Sequence, residues 1–577
     1  MTESGGTRQH VAPGVGSRAR RRSLRGPGWA AAGGALEPPD APAAVPSGVG
    51  TPAPLPSSHL GHCQVIVVGA GPTGLLLAGD LAAAGVDTLL LERRSDASNL
   101  TRAFAVHART LELLDARGLA DDLVAAGRPV PGLRLFGRVQ VDLSRLPSRY
   151  PFVLVLPQYL VEERLAERAR ASGSCRLEGL QVVDVRQTAD AVSVVAVDAD
   201  GRRSEFTADY VVGCDGAHST VRRALGLPFP GRSAVRSVML GDVRLAEAPP
   251  EVLTVDAGPD GFAFLAPFGD GWYRVIAWDR YDQRDDDDPV DFDDLRDITR
   301  RVLGQDHGMS DPRWTSRFHS DERQVPEYRV GRVLLAGDAA HIHSPAGGQG
   351  MNTGLQDAAN LSWRLARVAH GRLSDDALDS YQRERHPVGR RVLRASSGLL
   401  HLAMLTHPVS RWTRDHLGVA LTRFPPTAAR IAERISGLDV SYRTARRAHP
   451  CVGERMQDRV VIQNGSQQRL YEVLRAGRFV VVLPPEDTSL TTLASSDDCM
   501  AVTSRAAGGA CLLVRPDGHV AAVVTEPDPN DRARAFRHEL RRWSGVASRP
   551  AEAAGKHPNG RAVGPPDEAR DRLHPAS

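Results

Sequence analysis

The run Cys63–Gly69 (CQVIVVG) is apolar at nearly every position and rich in β-branched residues, the pattern of a short strand buried on both faces. Leu75–Ala84 follows with strong helix formers, and Val86–Glu92 (VDTLLLE) is a second buried strand ending in a carboxylate. Two more apolar runs end in Gly/Asp turns: Val211–Val221 (VVGCDGAHSTV), with a helix start at Ser219, and Arg332–Asp338 (RVLLAGD). Met351–Ala369 carries Leu355, Ala358, Leu361, Trp363, Leu365 and Val368 at helical spacing, which predicts a long helix with one apolar face. Between the two Gly/Asp turns, Gly261–Phe268, Trp272–Trp278 and Trp314–Phe318 alternate and contain aromatics, predicting an antiparallel sheet inserted into the first. Residues 374–438 read mainly as helices, with Ser374 and Asp375 offering a cap. Residues 447–546 read as a further α/β module with strands at Phe479–Leu483 and Ala510–Val514 and a turn at Arg515–Gly518.

Composition narrows the classes. The chain has 577 residues, 41% hydrophobic and 24% charged, enough for several packed domains. Lys+Arg number 72 and Asp+Glu 69, so no surplus of cations marks a nucleic-acid binder. No apolar run approaches the ~18 residues of a membrane span, and no membrane role is expected. Six cysteines are scattered without a CxxC or a Cys/His cluster, which predicts reduced thiols, no metal site and a cytoplasmic protein. Residues 1–62, rich in Gly, Ala, Pro and Arg, read as a disordered extension, and 547–577 as a disordered tail. The acidic run Arg284–Asp294 reads as a solvated loop ahead of a helix.

The first strand runs into Gly69-Ala70-Gly71-Pro72-Thr73-Gly74. A GxGxxG between a strand and a helix, with an acid at the end of the next strand, is a phosphate cradle. Gly69 permits the tight turn, Gly71 lets backbone approach a pyrophosphate, and Gly74 allows the helix to pack closely on the strand. The helix that follows aims N–H groups and its positive dipole end at the phosphates. Glu92, 18 residues past Gly74, is placed to accept from a ribose diol, with Arg93 beside it. The motif alone does not separate FAD from NAD.

The loop after Gly337-Asp338 contributes a second cradle. Glycines 347, 348 and 350 let backbone lie against a flat ring, and the helix opening at Met351-Asn352 presents N–H donors and a positive dipole end toward negative charge on it.

GxGxxG, then Asp215-Gly216, then Gly337-Asp338-Ala339-Ala340-His341 with Pro345 and Gly348 to Asn352, in this order and spacing, resembles the class A FAD-dependent aromatic monooxygenases typified by para-hydroxybenzoate hydroxylase. The resemblance covers about residues 63–445. It implies a Rossmann-like FAD-binding domain of α/β class, with a substrate-domain sheet inserted at roughly 130–160 and 228–325, and a helical region. RPDGHVAAV near the end resembles the thioredoxin-like domain of polyketide and phenol hydroxylases, implied at 447–546. Cys499 and Cys511 are too far apart for thioredoxin redox chemistry. The resemblance further implies FAD contacts from Arg102, Arg109 and Gln158, a shared FAD and NAD(P)H role for Asp215, and a ribityl bond from Asp338. Pro345 would line the reaction space through its carbonyl. His341 is a candidate for proton transfer, with a structural role as the simpler reading. Tyr381–Pro387 resembles a family helix broken by proline.

The implied reaction is NAD(P)H reduction of FAD, O2 addition at flavin C4a to form a hydroperoxide, and oxygen transfer to a phenolic or polyketide-type ring. Antibiotic tailoring or modification is the favoured branch. Baeyer–Villiger insertion or epoxidation on the same scaffold, and a non-catalytic flavin-binding sensor or scaffold, stand as alternatives. A homodimer is left open.

Overall fold

A computed structural model of the chain describes residues 61–95, 103–268, 271–344, 347–442, 448–486, 490, 498–505 and 509–545. Arg102 and Pro345, the tail 547–577 and all but the last two residues of the segment 1–62 lie outside the described residues. His62 is not part of a tail: it opens the first strand, His62–Val68.

Three sheets organise the chain. The first has eight strands, with Val333–Leu335, Arg203–Gly213, His62–Val68, Thr88–Leu91 and Cys175–Leu177 side by side and parallel. The register aligns Val68 with both Leu91 and Gly213, and Gly213 with Leu335. The four carboxyl ends therefore lie in one row. The loops beginning at Gly69, Glu92, Cys214 and Ala336 leave the sheet at one edge, where open α/β sheets bind ligands.

The helix Pro72–Ala83 packs on this sheet with Leu75, Leu76, Leu77, Ala78 and Leu81 buried. The helix Gln349–Ala369 packs against it and is buried almost all round. An apolar stripe alone predicts one buried face. The other face is covered because Trp363 meets Phe479 of the C-terminal module edge-on, ring centroids 5.4 Å apart.

The second sheet is the antiparallel insert. Its order is Thr254–Ala257, Gly261–Pro267, Tyr273–Asp279, Gly231–Leu245, Met309–Gln324 and His341–Ile342. The last strand is two residues of the loop after Asp338, paired Arg323 to Ile342 and Gln324 to His341. The insert is thereby stitched to the second glycine cradle. Residues 130–160 do not join it: Val153–Val155 pairs with Ala105–Val106 on one side and Arg128–Val130 on the other, and Gly132–Leu135 forms a hairpin with Val139–Asp142. Asp291 caps the helix Phe292–Leu303, its carboxylate accepting from the Asp293 N–H, which accounts for part of the acidic run.

The helix Asp379–Ala403 runs through Pro387 without a break. Pro387 and Arg383 face solvent, so the carbonyl that loses its helical donor is left in water. The third sheet carries Phe479–Leu483 parallel to Cys499–Thr503 and antiparallel to Cys511–Val514, with the helix Pro529–Ser544 against it. The module is mixed α/β, as its apolar runs predict.

Candidate active site

Gly69 adopts φ +99°, and a Cβ there would stand 2.6 Å from the Cys214 carbonyl oxygen. A Cβ on Gly74 would enter the Gly69 carbonyl. Both glycines are held by packing. Gly71 differs: nothing lies within 4 Å of its absent Cβ, so the cradle is open there. Thr73 fills the gap between motifs. Its Oγ1 would be 2.7 Å from a Cβ on Gly337 and closer still to one on Gly354. The two cradles are thus built against each other.

Glu92 sits behind the first cradle. Oε2 accepts from the Ala70 N–H at 2.6 Å, and Oε1 accepts from the Arg94 N–H and Nε at 3.0 Å. Burial pushes the carboxyl up, but these donors outweigh it and hold its pKa below the usual range. The Ala70 N–H is therefore committed to Glu92 rather than to a phosphate. Arg93 points to solvent, and Arg94 lines the cleft instead. Gln158 opens the helix Gln158–Ala171 and lines the cleft, donating to Glu162 Oε1 at 2.7 Å and accepting from the Ala103 N–H at 3.4 Å. Burial raises the pKa of Glu162, a cleft residue that sequence reasoning missed.

Asp215 Oδ2 accepts from the N–H groups of Thr220 and Val221 at 2.7 and 3.2 Å. Its Oδ1 is buried and without a hydrogen-bond partner among the described residues. Gly337, at φ +60°, turns the chain so that Asp338 faces the cleft. Gly348 adopts φ +62° and precedes the helix at Gln349, while Gly350 has open space at its Cβ position. Met351 lines the cleft. The Asn352 side chain does not. It accepts from the His107 N–H at 2.9 Å and donates to the carbonyls of Ala105 and Gly348, bracing the loop from behind.

Arg109 is removed from the cleft altogether. It is buried and donates to Glu112 at 3.1 Å, the Tyr471 hydroxyl at 2.9 Å and the Asp517 carbonyl at 2.6 Å, tying the first domain to the C-terminal module. His341 is also outside the cleft lining, with Nε2 2.6 Å from Asp357 Oδ2. This geometry favours its structural role.

Two cavities meet at the second cradle. A cleft of about 740 Å³ runs from Gly71, Arg94 and Glu162 past Asp338 to Met351. A second cavity of about 200 Å³ is walled by Leu133, Phe136, Leu253, Phe262, Phe264 and Leu400. Phe104, Ala105, Ile276, Ser320, Ser344 and Gly348 line both. At this junction the Ser320 hydroxyl, and beside it in the cleft lining both ring nitrogens of His343, are buried with no hydrogen-bond partner among the described residues. Burial, with His341 beside it, depresses the His343 pKa well below the ordinary imidazole value, so the ring is neutral. Where such unpartnered atoms line a cleft, they are available to hydrogen-bond a bound molecule. Ser320 carries no sequence signal. His343 stands in a recognisable motif but nothing there separates it from His341.

The residues fit FAD: an open phosphate cradle, a ring-sized ledge of backbone at Gly348–Met351, and a cleft joining them. Residues 62–396 match the FAD binding domain model, and residues 449–547 match the C-terminal domain of aromatic-ring hydroxylases. The chain belongs to the FAD-dependent aromatic-ring hydroxylase family. It is 37% identical to a rifampicin monooxygenase of Streptomyces venezuelae, over 79% of this chain and 94% of that protein. Among solved structures it resembles the OxyS anhydrotetracycline hydroxylase from Streptomyces rimosus, with a TM-score of 0.75 and 36% identity, covering 84% of this chain and 99% of that one. A dialkyldecalin synthase of Streptomyces rugosporus is 33% identical over 84% of this chain and 99% of its own length.

Proposed function

We propose that the protein uses NAD(P)H and O2 to hydroxylate a phenolic or polyketide-type aromatic molecule. The observation that carries this reading is the junction of a dinucleotide-sized cleft with an apolar, aromatic-walled cavity at Ser320, Ser344 and Gly348, with His343 on the cleft side. When bound, FAD supplies reduction by NAD(P)H and activation of O2 for transfer of one oxygen atom.

The chain supplies the rest. Gly71 to Gly74 and Arg94 hold the phosphates and ribose, Asp338 takes the ribityl chain, and the helix beginning at Gln349 meets developing negative charge with its N–H groups. The apolar wall receives the aromatic ring and excludes water, which would otherwise divert activated oxygen to peroxide. Neutral His343 can accept or donate one proton beside the reacting ring, and the Ser320 hydroxyl can orient a phenolic oxygen.

NADPH or NADH consumption by the flavin-loaded chain, measured with and without a panel of polyphenolic and polyketide compounds, tests this. Substrate-stimulated consumption with a product heavier by one oxygen supports hydroxylation. The relative that is a synthase makes the control necessary: product formation without NAD(P)H consumption would overturn the reading, and a flavin that resists NAD(P)H under every condition would make the protein a sensor.

A further inference from the structure

The hairpin of Gly132–Leu135 and Val139–Asp142 turns at Phe136 and Gly137, where the Arg138 N–H donates to the Leu135 carbonyl at 3.2 Å. Phe136 takes φ +53° and Gly137 φ +70°. Two successive left-handed residues are the mark of a type I′ turn, whose first position favours Asn, Asp or Gly. A bulky side chain there is an outlier that costs free energy. Of the five described non-glycine residues with positive φ, four are polar and the fifth is Phe136. Local backbone preference does not account for a phenylalanine at this position, so its reason lies in what the ring touches. The ring walls the apolar cavity together with Phe262 and Phe264. The Arg414 guanidinium, on the helix Pro408–Arg423, lies 4.5 Å from the ring centroid and is itself fixed by Asp415 and the Leu402 carbonyl at 2.7 and 3.0 Å. A Cβ on Gly137 would stand 3.0 Å from the Asp256 carboxylate, and a Cβ on Gly418 would stand 2.5 Å from Val139. The hairpin therefore has no slack toward the sheet or toward the helix, and Arg134 ties it further to Glu251.

We propose that Phe136 sets the size limit of the aromatic substrate and confines it to one or two fused rings. The inference rests on the aromatic hydroxylase reading above and names the substrate class of that same site. The cavity holds about 200 Å³. A dry protein cavity of ~150 Å³ takes one benzene molecule, and pockets for drug-sized ligands run from ~300 Å³ upward. Two fused rings fit between these bounds and four do not. At the junction the space is shared with the cleft, which on the same reading belongs to FAD. Room for more rings then has to come from the walls that the cleft does not share. Phe136 is one of these, and it is the one held where its own backbone disfavours it.

The test titrates 1-naphthol and 1-hydroxypyrene, phenols of two and four fused rings, into the flavin-loaded full chain and reads binding from the flavin absorption spectrum. The parent chain is expected to bind 1-naphthol about 10-fold more tightly or better, the penalty of forcing excess volume into a packed wall. Phe136→Asn and, separately, Phe136→Gly suit the left-handed turn and remove the ring. Each is expected to keep the parent's flavin content and far-UV spectrum and to cut that preference by about 10-fold. Phe136→Tyr keeps the ring and is expected to keep the preference. A parent chain that binds both compounds alike, a preference that survives in both the Asn and Gly variants, or one that is lost in the Tyr variant would overturn the size limit and leave the hydroxylase reading standing. A flavin spectrum that neither compound perturbs, in the parent or in any variant, would overturn both.

Discussion

His341 Nε2 and Asp357 Oδ2 stand 2.6 Å apart, both side chains wholly buried, and the same carboxylate oxygen accepts from the Gly337 N–H at 3.2 Å. The other oxygen accepts from Arg385 Nε at 2.6 Å. Burial pushes Asp357 up, but Arg385 and His341 pull its pKa down to about 2. The turn that presents Asp338 is thus anchored by a buried charge. Asp357→Asn should destabilise the protein by about 3–5 kcal/mol, because Arg385 is left buried with its partner neutralised. Denaturant unfolding checks the loss, and flavin retention should fall with it because Gly337 is no longer fixed.

His343 allows the opposite test. Its nitrogens have no hydrogen-bond partner among the described residues, so His343→Leu removes polar atoms that gain nothing there in the apo fold. Unfolding should show unchanged or higher stability and flavin content should hold. Turnover should fall by about 10²-fold or more if the ring moves a proton. Full activity in this variant would remove His343 from the reaction.

The two cradle glycines should separate binding from folding. Gly71→Val enters open space, so the apo protein should fold normally and lose FAD, as read by released flavin on gel filtration. Gly74→Val enters the Gly69 carbonyl and should fail to fold.

Acid sensitivity should begin well above the carboxylate range. Burial holds His107 and His519 at pKa values of about 4, below the ordinary value of 6.5. Between these limits the unfolded chain binds protons that the folded chain refuses, so stability is complete above pH 6.5 and falls toward pH 4. Each histidine contributes up to about 1.4 kcal/mol per pH unit. Below that window Asp357 and Glu384, both depressed to about 2, add their own loss. Thermal melts from pH 8 to 4 measure the slope, and a flat profile would contradict the buried neutral histidines.

What could be read in advance follows from how local each constraint is. Gly69 and Gly337 take positive φ at turns and Gly74 meets the Gly69 carbonyl five residues back, so this part of their constraint is local and shows in the chain. That on Arg109 does not, because its partners Tyr471 and Asp517 lie 362 and 408 residues away in another module. Asn352 falls on a motif position, yet its side chain serves Ala105 and His107 rather than the cleft. Arg93 and Arg94 are adjacent just past a strand end, and only folding shows which faces inward. Ser320 is one serine in a 16-residue strand, visible as a site residue only when the second cavity is in view.

The most direct test is product analysis under isotopically labelled O2, using flavin-loaded protein, NAD(P)H and an aromatic substrate. The account predicts one labelled oxygen per product molecule and one NAD(P)H consumed with it. Product carrying no oxygen from O2, or formed without NAD(P)H, would contradict it.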